Sequence, residues 1–463
     1  MRCGRGLGAA LAAIACGHAS QPEPGACGDD EPRALAALAE AEIVLRVHPA
    51  PDAARLLYEI GDPARPRDPV RLAIGDPCGA PAQTLAEAVT LLELDRDAYV
   101  CDEPSGTLWR VALGDGARTQ LGTQLLCAVK PTDLGVVALR PGDDGTAAIV
   151  LLDRNGAGDG VTLLEQVRVP EDGAPGGPIA VGERELLAHT VDGRLIHVEL
   201  ATRERTLVRD EVAEVRFDDT GGTVLWQRGV VDDPDPLAVG EVALVDLRDG
   251  PDAPDRVLGS TRLSWTAVPF FGDWVALRAH AWGDDRLVSR LDGHAVALPE
   301  PASVRAVVDG VGVIYVVGNG DWHDLDVRLW DPVQQQHRAL LRGAGFVRFA
   351  DDGLERFEPD PDFVHGRLSL LPYDGGDAIV LADDLAWPYA RRDDGTILWV
   401  RDDDGDGSGA LQAKAPEHAA VTLADEARVH DPVLLQHGLL APDVAFHAHR
   451  DGALALWRDA WQP

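Results

Sequence analysis

The sequence predicts an all-β fold built from repeated four-stranded units, and three observations support this prediction. The stretch Val215–Trp226 reads V-R-F-D-D-T-G-G-T-V-L-W and has partial copies at Val347–Gly353 and Asp393–Trp399. Val215 and Val347 lie 132 positions apart, and Val224 and Ile397 lie 173 apart, close to three and four times a repeat of about 44 residues. Between the copies, short apolar runs alternate with Gly, Asp and Pro, as in strands joined by tight turns. This pattern predicts a β-propeller.

The N-terminal residues are typical of an export signal. Arg2 and Arg5 precede an apolar run, Leu7–Ala15, that is too short to span a bilayer and has the length of a signal-peptide core. The run leads through Ala13-Ile14-Ala15 into Cys16, which resembles the lipobox of bacterial lipoproteins. An ordinary secretory cleavage near Ala15 or Ala19 is the alternative.

The lipobox resemblance implies removal of residues 1–15 and diacylation of Cys16. Gly17, in place of an Asp, implies an outer-membrane lipoprotein that faces the periplasm or the cell surface. The lipid would then be the only contact with the membrane, because no later segment is long and apolar enough to span it. Residues 16–40 are expected to form the lipidated start and a flexible tether, with one short helix over the Ala-rich stretch Arg33–Ala41. Residues 41–463 are expected to form a single propeller domain.

Within that domain, alternating apolar runs predict a series of outer hairpins. They span 56–74, 108–121, 149–167, 195–208, 242–258, 287–298, 327–341 and 368–381, followed by a last unit through Ile397 and Val421 and a terminal remnant over Phe446–Trp457. We expect eight four-stranded blades, with seven or nine as alternatives, and a first unit that is irregular or supplies a closing strand to the last blade. A tryptophan ends a strand at five places and is expected to fill space between blades, with stacking on sugars or peptides as the alternative: Trp109, Trp226, Trp330, Trp399 and Trp457.

Two stretches resemble known blade families. Val215–Trp226 and Val347–Gly353 resemble the hairpin of TolB-type propellers, and Val327–Pro332, followed by Arg338 and Leu340-Leu341, resembles the end of a WD-repeat blade. Both resemblances imply blade architecture, and family members in bacterial envelopes mostly act as protein-interaction platforms. Neither resemblance implies a particular function, because propellers serve as scaffolds and as enzymes.

The charge of the chain limits its partners. Its 77 acidic and 42 basic residues give a net charge of −35. Such a surface repels nucleic-acid phosphates and anionic lipids, so no nucleic-acid partner is expected, and it attracts cations and basic partners. Mere solubility is the alternative explanation of the acidic composition.

The cysteines are consistent with export. Apart from Cys3 and Cys16, four remain, an even number that allows three disulfide pairings in an oxidising compartment. We favour Cys27 with Cys78, tying the N-terminal tail to a loop, and Cys101 with Cys127, between neighbouring blades. Free buried thiols are the alternative.

Candidate metal sites are few. Asp402, Asp404 and Asp406, with Gly407 at position six, have the ligand spacing of a calcium loop but lack the closing glutamate at position twelve. Asp153–Asp159 is a weaker version, and a solvated acidic turn is the alternative for both. Two further groups have spacings that would suit a transition metal, although strand histidines on a solvated face are commoner: His447 and His449 near His430, His437 and Asp443, and Asp321, His323, Asp324 and Asp326.

No nucleophile elbow, H-E-x-x-H motif, P-loop or dinucleotide fingerprint is present. The sequence therefore favours a monomeric, non-enzymatic propeller that binds an envelope protein or peptide. The alternative is a hydrolase or lyase acting on a glycan or peptide in a central funnel, with Ca²⁺ assistance. A deep pocket with converging carboxylates would favour the enzyme, and a broad shallow face would favour the scaffold.

Overall fold

The computed structural model describes residues 33–39, 42–49, 55–62, 64–65, 68–76, 82–102, 105–142, 145–156, 158–169, 179–218, 222–229, 240–261, 270–280, 283–298, 302–308, 311–318, 325–343, 345–361, 365–386, 389–392, 395–401, 408–416, 418–428, 444–450 and 453–459. These residues form antiparallel sheets, and one 3-10 helix spans Leu247–Asp249. Strand β1 (Arg33–Ala37) belongs to a three-stranded sheet with the last two strands of the chain.

The next sheet has seven strands in chain order: β2 (Ile43–Pro49), β3 (Leu56–Gly61), β4 (Val70–Gly75), β5 (Gln83–Leu94), β6 (Asp97–Asp102), β7 (Thr107–Ala112) and β8 (Arg118–Gly122). Strand β5 is shared between the β2–β5 and β5–β8 parts of this sheet. It pairs with β4 through Gln83–Val89 and with β6 through Thr90–Leu94.

Seven four-stranded sheets follow, each with its strands in chain order, so the first and fourth strands are the edges. The first three contain β9 (Leu126–Thr132), β10 (Gly135–Pro141), β11 (Thr146–Leu152), β12 (Val161–Arg168); β13 (Ile179–Val181), β14 (Glu185–His189), β15 (Leu195–Glu199), β16 (Arg205–Arg209); and β17 (Val212–Phe217), β18 (Thr223–Arg228), β19 (Gly240–Asp246), β20 (Arg256–Thr261). The next two contain β21 (Phe270–Phe271), β22 (Trp274–His280), β23 (Gly283–Ser289), β24 (Ala295–Ala297); and β25 (Ala302–Val308), β26 (Gly312–Val317), β27 (Leu325–Asp331), β28 (Gln336–Gly343). The last two contain β29 (Phe346–Phe349), β30 (Gly353–Pro359), β31 (His365–Pro372), β32 (Ile379–Ala386); and β33 (Tyr389–Arg391), β34 (Ile397–Arg401), β35 (Ser408–Lys414), β36 (Val421–Arg428). Strands β37 (Val444–Arg450) and β38 (Ala453–Asp459) complete the sheet of β1.

This succession of four-stranded antiparallel meanders is that of a β-propeller. Eight of the described sheets have four or more strands, in agreement with the eight blades expected. The repeat of about 44 residues corresponds to one sheet, because the two copies of Val215–Trp226 lie on β29 and β34, three and four sheets after β17 and β18. Seven of the eight predicted outer hairpins lie on the last two strands of a sheet, as 242–258 does on β19 and β20, whereas 56–74 is β3 and β4, the second and third strands of the β2–β5 meander.

Contacts divide the chain into two compact units. The first unit comprises the described residues of Lys130–Glu355 and Leu371–Ala378, and the second comprises those of Gly17–Val129, Arg356–Leu370 and Ile379–Pro463. In the first unit, consecutive sheets share apolar clusters; one contains Leu187 of β14 with Val215 and Trp226 of the next sheet. In the second unit, Leu35 and Ala36 of β1 pack with Val44, Tyr58 and Ile60 of the seven-stranded sheet.

The predicted helix over Arg33–Ala41 is wrong, because Arg33–Ala37 forms strand β1. Its backbone pairs with β38 from Arg33 opposite Arg458 to Ala37 opposite Ala455. Alanine favours helices, but that preference is a few tenths of a kcal/mol per residue, and burying Leu35 and Ala36 in the second unit outweighs it. An N-terminal strand therefore completes the last sheet, but it is β1, inside the range 16–40 that we assigned to a tether, and not the first predicted unit, for which a closing strand was one of the two alternatives.

Register shifts occur at sheet edges and not at sheet centres, although some edge pairs, such as β13–β14 and β33–β34, also run without a shift. In the described ladders every register shift involves an edge strand or the shared strand β5, as at Arg305, which the β25–β26 register skips. Central pairs such as β10–β11 and β26–β27 run without a shift. Each shift leaves one or more residues without a partner across the ladder, and such a bulge locally bends the strand.

Four strands at the end of a meander share a motif that the sequence analysis did not detect. The motif has four positions, which hold in order Thr or Val, Leu, Ala or Leu, and an acidic residue: Thr84-Leu85-Ala86-Glu87, Thr162-Leu163-Leu164-Glu165, Val380-Leu381-Ala382-Asp383 and Thr422-Leu423-Ala424-Asp425. In three of the four, the next residue has positive φ, at 53° for Ala88, 54° for Gln166 and 57° for Asp384. The register shift of each strand therefore lies at the same place in the motif.

Four of the five strand-ending tryptophans fill space in the apolar clusters, as expected, and the side chain of Trp457 lies outside the described part of the structure. Trp226, Trp330 and Trp399 are buried, and Trp109 packs half-buried against the core of the seven-stranded sheet. Trp330 also meets Trp274 edge to face, with ring centroids 4.6 Å apart. A search for helices able to cross a membrane finds none within the part of the chain that the structure describes.

Candidate functional site

An open groove of about 830 Å³ lies in the second unit, beside the ends of β3 and β4 and the first half of β5. Seven of its lining residues are apolar, five carry polar or charged side chains and one is a glycine, so it offers both kinds of contact: Ala37, Leu38, Ala39, Ile60, Pro69, Val70 and Ala88 with Glu42, Asp62, Arg71, Thr84, Glu87 and Gly61. Mixed lining around a few fixed polar groups is typical of ligand and peptide sites.

Arg71 lies at the centre of the groove and is held from three sides. Its Nη2 and Nε donate to the two carboxylate oxygens of Glu42 at 2.6 and 3.3 Å. Nη2 also donates to the carbonyl of Ala37 at 3.0 Å, and Nη1 lies 3.5 Å from the hydroxyl of Thr84. The two-pronged contact with Glu42 fixes the plane of the guanidinium.

Glu42 is correspondingly fixed as a carboxylate. The hydrogen bond from Arg71 lowers its pKa, burial opposes that effect, and the backbone N–H of Ala39 donates a further bond at 2.8 Å. A carboxylate held ionised is a poor proton donor near neutral pH, so Glu42 is unsuited to general-acid catalysis. With Asp62 and Glu87 also present, the lining carries more negative than positive charge.

A second polar cluster lies on β26–β28 in the first unit. The hydroxyl of Tyr315 is 2.8 Å from Nδ1 of His337, and the two rings meet edge to face. Burial raises the pKa of Tyr315 and lowers that of His337, so a protonated tyrosine donates to a neutral imidazole. Nearby, Asp326 accepts two hydrogen bonds from Arg328, at 2.9 and 2.6 Å.

Buried ion pairs elsewhere have a structural role. Asp285 on β23 is 3% exposed; it accepts from Arg278 Nε at 2.9 Å and from the backbone N–H of Val304 on the next sheet at 2.9 Å. Glu355 on β30 is 1% exposed and lies 3.3 Å from Arg348. Neither acid could be recognised from the sequence, because β23 and β30 each contain other charged residues and nothing local distinguishes the buried one.

The first strands of the sheets carry mostly basic charge. In the first unit they contain Lys130, Arg216, Arg305 and Arg348 against Glu214, and in the second unit β2 contains Arg46 and β33 contains Arg391. This sign is opposite to the net charge of −35 of the whole chain.

The sequence-predicted site residues fall mostly outside the described residues. Cys16, Cys27 and Cys78 do so, as do the calcium-loop candidates Asp402, Asp404 and Asp406. The sulfurs of Cys101 on β6 and Cys127 on β9 form a disulfide with Cα atoms 5.6 Å apart, which is the pair favoured from the sequence.

The weaker acidic loop, at 153–159, is described in part. Asp153 accepts a hydrogen bond from the N–H of Asn155 at 2.7 Å, and the carbonyl of Asp159 accepts from Arg140 at 2.6 Å. His447 and His449 lie on β37, while His430, His437 and Asp443 lie outside the described residues, as do Asp321, His323 and Asp324. Asp326, from the last of these groups, is paired with Arg328 and lies 3.8 Å from Arg342. Over the described ranges, no group of three or more His, Cys, Asp or Glu side chains could hold a metal.

Comparison with known proteins gives distant structural likenesses. No protein-family model and no curated protein matches the chain. The tricorn protease is similar at 12% identity over 84% of this chain and 42% of that one, with a TM-score of 0.26, so this chain spans less than half of its length. BamB from Moraxella catarrhalis is similar at 16% identity over 74% and 98% of the two chains, with a TM-score of 0.36. TolB from Acinetobacter baumannii is similar at 11% identity over 65% and 79%, with a TM-score of 0.24. At these identities and TM-scores the likenesses carry no argument about function.

Proposed function

We propose that this chain is an exported, lipid-anchored β-propeller that binds a protein or peptide partner in the cell envelope, with the groove around Arg71 as a docking site. The observation that carries the proposal is the lining of the groove and the pairing of its charges. It is open, half apolar, and its central Arg71 and Glu42 already neutralise each other at 2.6 Å. Such a surface suits an extended peptide with apolar and basic side chains, because the lining has two further carboxylates, Glu87 and Asp62, and the only ion-pair contact described for Asp62 is with the exposed Arg65 at 3.9 Å.

Export and anchoring rest on the sequence. The apolar run ending at Ala15 and the lipidation candidate Cys16 support both, and an oxidised pair such as Cys101 and Cys127 is suited to a compartment outside the cytosol. Fractionation of cells that produce wild type or Cys16→Ser tests the anchor. We expect the wild type in the membrane fraction and the variant in the soluble exported fraction; a variant that stays with the membrane would contradict the lipid anchor.

A photo-crosslinking amino acid placed at Thr84 tests the docking site in intact cells. Thr84 is exposed in the groove, and Gln120 on β8 is an exposed control position in the same unit. We expect a discrete crosslinked protein from Thr84 and none from Gln120. A crosslink from both positions, or from neither, would refute the groove as a docking site, and release of sugar from cell-wall glycan by the purified chain would favour the hydrolase or lyase instead.

We also propose a calcium ion at Asp402, Asp404 and Asp406, on their spacing alone. An ion that binds only the folded state at a hundred times its Kd stabilises it by about 2.7 kcal/mol. We therefore expect the melting temperature in millimolar Ca²⁺ to exceed that in EDTA, and the difference to vanish in Asp404→Ala. Equal melting temperatures of the wild type in Ca²⁺ and in EDTA would indicate that the loop is a solvated turn and binds no calcium.

A further inference from the structure

The motif shared by the four fourth strands determines what lies opposite it on the neighbouring third strand. In all four ladders, the last motif residue and the residue after it together face a single residue of the third strand. In the β4–β5 ladder that single residue is Arg71, which faces Glu87 and Ala88. Thr84, Glu87 and Ala88 all line the groove, so the motif supplies one of its walls.

The groove's central arginine has a counterpart in the same unit. In the β31–β32 ladder the single residue opposite the motif is Arg367, which faces Asp383 and Asp384. In the other two ladders the same place is taken by Ala148 and Ala410. Both ladders that have an arginine at this place belong to the second unit.

The two arginines differ in what covers them. The side chain of Arg71 is 21% exposed, because the carbonyl of Ala37 accepts from Nη2 at 3.0 Å and the carboxylate of Glu42 accepts from the same nitrogen at 2.6 Å. The side chain of Arg367 is 57% exposed, and its one hydrogen bond within the described residues runs from Nε to Asp383 at 2.7 Å. Nη1 and Nη2 of Arg367 are therefore open to an acceptor from outside the chain.

The start of β32 adds an apolar surface. Ile379 and Val380 are 51% and 49% exposed, and they are the one adjacent pair among the exposed large apolar side chains of the described residues. Val380 holds the motif position that Thr84 holds in the groove. A partner that covers this pair removes apolar surface from water, which favours binding.

The charges near Arg367 favour a basic partner. The hydrogen bond to Asp383 raises the pKa of Arg367, and the two side chains form a neutral pair. Asp360, whose charge also raises that pKa, and Asp384 are exposed, and their side chains make no hydrogen bond or ion pair with the residues that the structure describes. These carboxylates attract basic side chains and repel acidic ones. A second copy of this chain, with its net charge of −35, is therefore a poor occupant.

We propose that the surface around Arg367 is a second docking site for the class of peptide proposed for the groove, an extended segment with apolar and basic side chains. Arg367 donates to a backbone carbonyl of the peptide, in the way that Arg71 donates to the carbonyl of Ala37. The aliphatic side chains of the peptide lie on the exposed pair at the start of β32, and its basic side chains face Asp360 and Asp384. The class of peptide rests on the proposed function, whereas the place of binding does not.

Photo-crosslinking of the purified full chain to a biotinylated peptide of alternating valine and arginine tests the site. An apolar photo-crosslinking amino acid is placed at Val380, and at Thr162 as the matched control. Thr162 holds the same exposed motif position on β12, where Ala148 takes the place of the arginine. We expect the peptide to crosslink from Val380 and not from Thr162. Crosslinking from Thr84, measured in parallel, reports on the groove, so failure of the groove and failure of the second site are distinguished.

The variant Arg367→Gln separates a specific contact from general attraction of charge. It removes a positive charge from an acidic surface, so general attraction of a basic peptide would strengthen. Loss of the guanidinium donors has the opposite effect, and we expect crosslinking from Val380 to fall by about fivefold or more. Arg205→Gln, at an exposed arginine on β16, makes the same change in charge and should lower crosslinking by less than about twofold. Thermal melts of both variants check that each is folded.

Three results would overturn the proposal. The first is no crosslink from Val380, whether or not Thr84 crosslinks. The second is equal crosslinking from Val380 and Thr162, which would mean that the arginine opposite the motif does not select the site. The third is crosslinking from Val380 that is unchanged or stronger in Arg367→Gln, which would reduce the effect to the acidity of the surface.

Discussion

At the scale of single residues, two side-chain contacts tie consecutive sheets together and can be tested separately from any partner. His189, at the end of β14, donates from Nε2 to the carbonyl of Val212 at 2.8 Å. Cys101 and Cys127 join the seven-stranded sheet to β9. Neither contact follows from local sequence, since each joins residues that are 23 to 26 positions apart.

Acid is expected to weaken the contact of His189. Burial lowers the pKa of His189 to about 4, whereas an unfolded histidine has a pKa near 6.5. Between those values the unfolded state binds the extra proton, so stability falls as the pH drops from about 6.5 to 4, by about 3 kcal/mol at most. Urea unfolding at pH 7 and pH 4.5 should show a smaller loss for His189→Gln, which keeps a donor for Val212, than for wild type. Equal losses in the two proteins would mean that His189 is not held neutral.

Loss of the disulfide is expected to destabilise the second unit. Closing a loop of 26 residues lowers the entropy of the unfolded chain by an amount worth about 3.5 kcal/mol in the loop-entropy model. The double variant Cys101→Ser and Cys127→Ser should therefore melt at a lower temperature than wild type, by calorimetry without reductant. With reductant present, the two proteins should converge; a gap that persists would trace the loss to packing of the sulfurs instead.

At the scale of strands, the sequence predicted the hairpins within sheets better than the contacts between residues far apart in the chain. The outer hairpins could be read from alternation and turn residues, as with β19 and β20 around Asp249-Gly250, because both signals are local. Strand β1 could not, since pairing with β38, which is more than 400 residues away, decides its conformation. The groove was hidden for the same reason: Glu42, Arg71 and Thr84 meet only after β2–β5 are in register.

The repeated shift in the fourth strands leads to a test on neighbouring residues. Gln166 has φ of 54°, a conformation that costs about 1 kcal/mol for a residue with a Cβ, whereas glycine adopts it freely. Gln166→Gly should therefore be neutral to stabilising by up to about 1 kcal/mol. Glu165→Gly, at an exposed neighbour within the same strand, should destabilise by about 0.5–1 kcal/mol. The midpoints of urea unfolding measure both changes, and the same sign for both variants would refute the strain at Gln166.

At the scale of the whole molecule, the net charge of −35 sets the response to salt. Like charges repel more in the compact state than in the unfolded chain, and raising ionic strength from 0.01 to 0.15 M shortens the screening length from about 30 to 8 Å. The melting temperature should rise over that range in NaCl. Sucrose at equal osmolarity serves as the control for solute effects unrelated to charge. A melting temperature that is unchanged or lower in NaCl would show that local ion pairs, such as Arg71 with Glu42, outweigh the net repulsion.

The shifted registers at the sheet edges have a consequence for how the protein behaves among its own copies. A propeller presents many strand edges, and a flat edge with free N–H and C=O groups is a template for cross-β growth. Here the unpaired residues at those edges, such as Arg305, interrupt the row of free groups every few positions. Among the described ladders, the edge pairs without a shift join three residues or fewer of each strand, except β37 with β38, so long unbroken edges that could template a second copy are few.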